Sequence, residues 1–215
     1  TLDVLLANLP GEVLEAALPL LQGKIVSELW PVREAAILAF GAVLKLCLER
    51  APQALPELVL FLSERLKDDQ PRVRQISCWT VSRYASWIVG DNNLFNATFT
   101  SLLHCALDPL RVVQEAACLL ILTFIENSTQ DMLAPFVQSL LELFAQSLVT
   151  FQKKSTIVLY DTIQTFVEKA GYDLVAPYAN QLLPVLLERW GVLADDDVAL
   201  WPLLECMACV AAVLL

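Results

Sequence analysis

Two kinds of residue in this sequence could form a functional site: acidic residues, and a group around one tryptophan whose members are spaced as on a helix. Ile76, Trp79 and Arg83 follow one another at steps of three and four, so they share one helix face. That face either presents an indole to a partner or buries it in the core, because tryptophan covers a large apolar area. Asp161 interrupts an apolar stretch. Since burying an unpaired carboxylate is costly, we expect Asp161 to face solvent, as a binding residue or as an ordinary solvated side chain.

Catalytic patterns are not evident. The sequence has six scattered glycines and contains neither a phosphate-binding glycine loop nor an H-E-x-x-H pair. The one histidine, His104, falls in a helix expected to face away from the acids. All six cysteines fall in apolar helical segments, which predicts buried, reduced thiols of an intracellular protein. We therefore expect no enzyme, no metal and no cofactor.

Composition narrows the class of partner. Of 215 residues, 57% are hydrophobic, which excludes a disordered chain. The net charge of −10 argues against a nucleic-acid surface and favours a basic partner. The apolar run from Trp201 to Leu215 is shorter than the roughly 20 residues that span a bilayer and contains Glu205, so we expect no membrane span.

Helical periodicity runs along nearly the whole chain and is cut by proline, glycine and aspartate clusters. It predicts helices over residues 2–9, 12–28, 31–48, 53–67, 71–89, 94–107, 109–127, 130–150, 154–170, 173–192 and 196–215. Alternate helices resemble one another. Their starts are marked by a valine recurring about every 40 residues, at Val32, Val73, Val113, Val158 and Val198. Aspartates precede several of these helices, where carboxylates are expected to cap free N–H groups.

A period of about 40 residues with two helices per unit is typical of HEAT repeats. We therefore predict an all-α fold, a right-handed α-α superhelix of about five HEAT repeats. Residues 1–215 are expected to form a single array, cut from a longer solenoid, because the final helix ends in an uncovered apolar run. Stacked repeats of this kind build a long concave wall.

The second helices of the repeats predict what lies on that wall. With about 100° per residue counted from the recurrent valines, a group of apolar, polar and acidic side chains falls within one arc of roughly 120°. The shared angle over successive repeats favours a binding surface over isolated solvated residues. Its members are Leu38, Ile76, Trp79, Arg83, Glu126, Asp161, Thr165, Glu168 and Glu205.

The run of residues 73–87, VRQISCWTVSRYASW, resembles the transportins of the karyopherin-β importin family. Residues 113–118, 157–161 and 201–206 carry the same resemblance, which extends over essentially the whole chain. Glu168 stands where this family commonly has aspartate, and the charge is kept. The resemblance implies a nuclear import receptor that moves between cytoplasm and nucleus. Its cargo would carry a basic, extended nuclear localisation signal ending in proline-tyrosine.

The resemblance also implies a role for each residue of the wall. Leu38, Ile76 and Trp79 would form the apolar pocket for the proline-tyrosine end, with Arg83 hydrogen-bonding nearby and Asp3 beside it. The basic residue upstream would be held by Glu126 and Asp161. The amino-terminal part of the signal would meet Thr165, Glu168 and Glu205. The full-length receptor would bind the GTPase Ran and nucleoporins, with the Ran-binding arch outside this segment. The alternative is a HEAT scaffold of phosphatase-subunit or condensin type that joins folded proteins.

Overall fold

The computed structural model describes residues 11–151 and 153–214, and every regular element in these residues is helical. The predicted helix over 2–9 lies outside them. Short 3-10 turns occupy Pro52–Ala54, Arg65–Lys67 and Ala134–Phe136. The helices are α1 Gly11–Ile25, α2 Trp30–Arg50, α3 Leu55–Glu64, α4 Pro71–Ile88, α5 Asn92–Cys105, α6 Arg111–Asn127, α7 Gln130–Leu133, α8 Val137–Thr150, α9 Lys153–Ala170, α10 Tyr172–Val192 and α11 Leu200–Ala212.

The chain divides into two compact units, Thr1–Cys105 and Ala106–Leu215. In the first unit α2 and α4 pack side by side in one layer, while α1, α3 and α5 form the other. In the second unit α6, α9 and α11 form one layer, and α8 and α10 lie in the other. Within each unit, then, the prediction that alternate helices share a layer is confirmed.

The layers are joined by apolar stripes at helical spacing. On α4 the fully buried side chains include Val73, Val81, Tyr84 and Ile88. Residues three, four and seven apart lie on the same side of a helix, so these side chains all point into the first unit. In the second unit Phe144 of α8 meets Phe166 of α9 edge to face, with ring centroids 5.7 Å apart. Aromatic pairs of this geometry stabilise a core beyond the area they bury.

The aspartates before the helices accept hydrogen bonds within the connecting loops and not at the helix N-termini, where they were predicted to act as caps. Asp68, Asp108 and Asp197 each accept a hydrogen bond from the backbone N–H two residues later, at 2.9–3.0 Å. This is an Asx turn within the connecting loop, and in all three cases the helix begins after that turn. The carboxylates therefore shape the loops that lead into α4, α6 and α11.

The register of the last two repeats differs from the prediction. Val73 and Val113 are fully buried near the starts of α4 and α6, but on α9 the corresponding buried position is Ser155, and Val158 lies one turn further along. Val198 is exposed in the turn before α11. The step from Val113 to Ser155 is 42 residues, and the helical segment between them, Gln130–Thr150, is 21 residues long, against 14 for Asn92–Cys105 in the repeat before. Helix α11 begins at Leu200, four residues later than predicted, since the loop is shaped by Asp197.

One segment of the described residues, Gln130–Thr150, is long and apolar enough to cross a membrane. Of its most apolar 18-residue window, 44% is buried inside the second unit. The buried side chains include Leu140, Leu141, Phe144 and Leu148 of α8. They pack against α9 and α10, as the core side of a helix in a layered protein does.

Candidate functional site

The exposed residues of α4, α6 and α9 follow one pattern, which identifies equivalent positions in successive repeats. Trp79, Leu119 and Asp161 are each exposed between two pairs of buried residues. A residue in that setting is the outermost point of a helix packed on both flanks. Leu38 on α2 is exposed at the corresponding position.

The first unit carries an apolar surface, which we define as Leu38, Ile76, Trp79 and Arg83. Leu38 is 42% exposed and Trp79 is 46% exposed, although both lie on helices that pack against each other. Ile76 is partly exposed one turn before Trp79 on α4, and Arg83 is exposed one turn after it. Trp79 is thus accessible to solvent, and its place between Leu38 and Ile76 in a binding pocket stays a prediction.

The indole of Trp79 is oriented by its neighbours. The guanidinium carbon of Arg83 lies over the ring at 5.2 Å from the centroid, within range of a cation–π contact. Below the indole, α4 is fixed to α2 by two hydrogen bonds. The hydroxyl of Thr80 donates to the carbonyl of Ile37 at 3.3 Å, and the hydroxyl of Tyr84 donates to the carbonyl of Phe40 at 2.8 Å. The apolar surface thus lies on a rigid helix pair.

The second unit carries an acidic surface, which we define as Glu126, Asp161, Thr165, Glu168 and Glu205. The four acids are exposed, and Thr165 is partly exposed. They lie on α6, α9 and α11, which form one layer of this unit. Their charges are of one sign, so this surface attracts cations.

Two polar contacts modify the acidic surface. Nε2 of Gln164 donates to Oε1 of Glu168 at 3.3 Å, which steadies that carboxylate without neutralising it. Nζ of Lys169 donates to the backbone carbonyl of Glu126 at 2.9 Å, so one cation stands at the edge of the surface. The sequence analysis did not foresee this lysine. It leaves the surface with a net negative charge.

One residue with the properties of a contact was missed in the sequence. Leu119 on α6 is 51% exposed, at the position that Leu38 and Trp79 occupy in their own helices. It lies seven residues before Glu126, so both share a face of α6. The signal was present, because Leu119 follows Val113 by six residues, as Trp79 follows Val73. Asp3, by contrast, lies outside the described residues.

The described residues hold no group of three or more His, Cys, Asp or Glu side chains that could bind a metal ion. His104 is exposed near the end of α5, in the layer opposite the apolar surface. Cys206 and Cys209 stand in C-x-x-C spacing within α11, a pattern the sequence analysis overlooked. Cys206 is fully buried, and burial raises the pKa of its thiol far above the ordinary range. A thiol in that state is a poor nucleophile and a poor metal ligand.

Comparison with protein families and known proteins gives consistent results. A family model described as HEAT-like repeat matches residues 30–84. The chain is 39% identical over 214 residues to importin subunit beta-2 of Saccharomyces cerevisiae, which covers 99% of this chain and 23% of that protein. It is 37% identical over 216 residues to transportin-1 of Homo sapiens, with 99% and 24% covered. The chain thus spans about a quarter of the length of these relatives.

Solved structures show the same fold. The crystal structure of Kap121p superposes with a TM-score of 0.80 at 24% identity, covering 99% of this chain and 21% of that one. Kap121p bound to Nup53p gives a TM-score of 0.80 over 97% of this chain and 20% of the other. At this identity the likeness establishes the fold, α-helical HEAT repeats.

Proposed function

We propose that this chain belongs to the karyopherin family of nuclear import receptors, in which it matches one segment of the transportins. From that membership we infer that it binds nuclear localisation signals. The signal it suits is an extended, basic peptide ending in proline-tyrosine. Its apolar end contacts the apolar surface of the first unit. Its basic part contacts the acidic surface of the second.

The apolar surface suits a proline-tyrosine pair for physical reasons. Proline and tyrosine rings present flat apolar faces, and the exposed indole of Trp79, with the exposed Leu38 and the partly exposed Ile76, offers apolar area to receive them. Arg83, whose guanidinium lies over the Trp79 ring, offers N–H donors beside the indole for a tyrosine hydroxyl or a peptide carbonyl. The observation that carries the proposal is the exposure of Trp79, since a tryptophan held half in solvent on a rigid helix pair is typical of a binding anchor.

The acidic surface suits the basic part of the peptide. Exposed carboxylates on neighbouring helices attract lysine and arginine over a distance set by screening, about 8 Å at physiological ionic strength. Leu119 adds an apolar spot beside Glu126, where the aliphatic stem of a basic side chain packs while its charged end reaches a carboxylate. An unfolded peptide that binds in this way pays an ordering cost, which suits reversible cargo binding.

For the intact protein we propose, by homology alone, a transport receptor without enzymatic activity that shuttles between cytoplasm and nucleus. Its further partners would be the GTPase Ran and nucleoporins. Kap121p, which shares this fold, has been solved bound to Nup53p and bound to Pho4p. These complexes support protein cargo and pore partners for a karyopherin.

The test is a titration at low salt of the chain against a fluorescein-labelled synthetic peptide with several Lys and Arg residues ahead of a terminal Pro-Tyr. Two control peptides replace either the Pro-Tyr pair by Ala-Ala or the basic residues by Gln. We expect binding that is weakened in both controls. A scaffold that joins folded proteins has no reason to retain such a peptide, so failure to bind it in fluorescence anisotropy would favour the scaffold alternative.

A further inference from the structure

A glycine of α2 lies against the Trp79 indole. Gly41 is buried in the middle of α2, and a Cβ placed on it would lie 3.1 Å from Cζ3 of Trp79. The same Cβ would lie 3.4 Å from Oγ1 and 3.6 Å from Cγ2 of Thr80. Carbon atoms pack best at about 3.5–4.0 Å, so the contact with the indole is too short while those with Thr80 are ordinary or nearly so. The indole occupies space that any side chain at position 41 would need.

The backbone of α4 has little freedom to relieve that contact. Thr80 and Tyr84, the first and fifth residues after Trp79, donate to the carbonyls of Ile37 and Phe40, which lie within one turn before Gly41 on α2. Tyr84 is fully buried, so its hydroxyl has no water to replace the carbonyl of Phe40. A side chain at position 41 would therefore displace the Trp79 ring rather than the helix.

The displacement would alter the apolar surface. The ring edge lies against Gly41, and its face lies against the guanidinium of Arg83 at 5.2 Å. A ring pushed off Gly41 tilts toward solvent or toward Arg83, and either movement changes its angle to Leu38. Binding that depends on shape weakens when an anchor moves by a few tenths of an ångström, since contact energy falls steeply with distance.

We propose that Gly41 is a positioning residue for peptide binding, in that its missing side chain sets the depth and angle of the Trp79 indole. The effect of Gly41 on peptide binding rests on the proposed function, whereas the contact between Gly41 and the Trp79 indole does not. Gly41 touches no peptide itself. It acts by leaving the backbone of α2 open to the second ring of the indole.

The test compares four versions of the full chain: the native one, Gly41→Ala, Trp79→Phe, and the double variant. Against the labelled Pro-Tyr peptide we expect Gly41→Ala to weaken binding by at least about fivefold, while helical content is retained because alanine favours helix more than glycine does. A phenyl ring lacks the indole's second ring, to which Cζ3 belongs. In the Trp79→Phe background the same glycine change should therefore cost less than about twofold, a non-additivity expected of residues in contact.

A second measurement needs no peptide. The chain has five tryptophans, hence five indole N–H signals in a ¹H–¹⁵N spectrum, and Trp79→Phe identifies the one that belongs to Trp79. Gly41→Ala should shift that signal more than the other four. Equal shifts of all five, or a fivefold loss of affinity that persists in the Trp79→Phe background, would overturn the role of Gly41. If the native chain does not bind the peptide, the proposed function fails, and the spectrum still decides whether Gly41 positions the ring.

Discussion

Arg33 of α2 and Asp68, in the loop before α4, form a bidentate ion pair, with Nε to Oδ2 at 2.7 Å and Nη2 to Oδ1 at 2.6 Å. Their side chains are only 8% and 2% exposed. Nη2 also donates to Asp69, and Nη1 donates to the carbonyls of Ser27 and Glu28. One guanidinium thus joins the loop before α2 to the loop before α4, which fixes adjacent repeats of the first unit.

Removing Arg33 should strongly destabilise this unit. Arg33→Ala leaves the carboxylate of Asp68 buried without its bidentate partner and with Arg65 near it, at 3.7 Å. Breaking a buried pair in this way typically costs about 3–5 kcal/mol. The matched control is Arg72→Ala, which breaks an ion pair with Glu34 at 3.2 Å in which the Arg72 side chain is 71% exposed. An exposed pair contributes about 0–1 kcal/mol. Urea unfolding followed by circular dichroism measures both, and equal effects would contradict the structural role of Arg33.

The same pair predicts how stability depends on pH. Burial alone would raise the pKa of Asp68, but hydrogen bonds from Arg33 and from the backbone of Gln70 lower it overall. A carboxyl whose pKa is lower in the folded chain than its ordinary value of about 3.9 contributes stability above that value and loses it as pH falls toward the folded pKa. Urea midpoints should therefore fall below about pH 4, and more steeply in the native chain than in Asp68→Asn. Parallel curves would show that another group is responsible.

The features that the sequence predicted arise within single helices, whereas those that it missed arise from contacts between repeats. Periodicity within a helix is local, so the bounds 71–89 came within a residue of Pro71–Ile88, and the shared face of Ile76 and Trp79 followed from their spacing. Contacts between repeats depend on how helices stack. Thus the Arg33–Asp68 pair, whose residues are 35 apart in the chain, was not predicted. The contact of Gly41 with Trp79 could not be predicted from spacing at all.

Local signals also failed where the length of a repeat changed. Counting from Val158 assumed that every repeat begins at an equivalent valine, whereas in α9 that buried place belongs to Ser155. Asp161 was nevertheless correctly predicted to be exposed. A register error of three residues rotates the direction of a side chain by only about 60°, which is less than the arc of roughly 120° that was considered. The exposed face of a helix can therefore be predicted even where the predicted register is wrong by three residues.

The cysteines should differ in reactivity. Cys47, Cys118 and Cys206 are buried, and burial raises the pKa of Cys47 to about 11 and that of Cys118 to about 12. Thiolates are the reactive species, so at pH 7.5 these side chains should resist alkylation until the chain unfolds. Cys209 is partly exposed and should be labelled first by N-ethylmaleimide in a time course followed by peptide mass spectrometry. Labelling of Cys118 as fast as Cys209 in the folded chain would contradict this.

The acidic surface should make peptide binding sensitive to salt and to charge. Asp161→Lys both removes an attraction and adds a repulsion, so it should weaken binding of the basic peptide more than Asp161→Asn does. The matched control is Asp173→Lys, an equal change of charge at an exposed residue of α10, in the other layer of the same unit. Its effect should be the smaller, because screening reduces attraction beyond about 8 Å at physiological ionic strength. Calorimetric affinities unchanged between low and high salt would rule out the electrostatic part of the proposal.

Replacing Trp79 gives the sharpest separation between binding and stability. As an anchor, its truncation to alanine should cost about 2 kcal/mol or more of binding, roughly thirtyfold in affinity for the Pro-Tyr peptide. Helical content and melting temperature should change little, because nearly half of the side chain is already exposed. As a core residue it would behave in the opposite way, since emptying a buried tryptophan site costs about 3–5 kcal/mol of stability. The control is Trp190→Ala, which removes an indole that is 49% exposed on α10 and should leave affinity unchanged. A Trp79→Ala chain that melts early yet binds the peptide as tightly as the native one would return Trp79 to the core and remove the anchor on which the apolar surface depends.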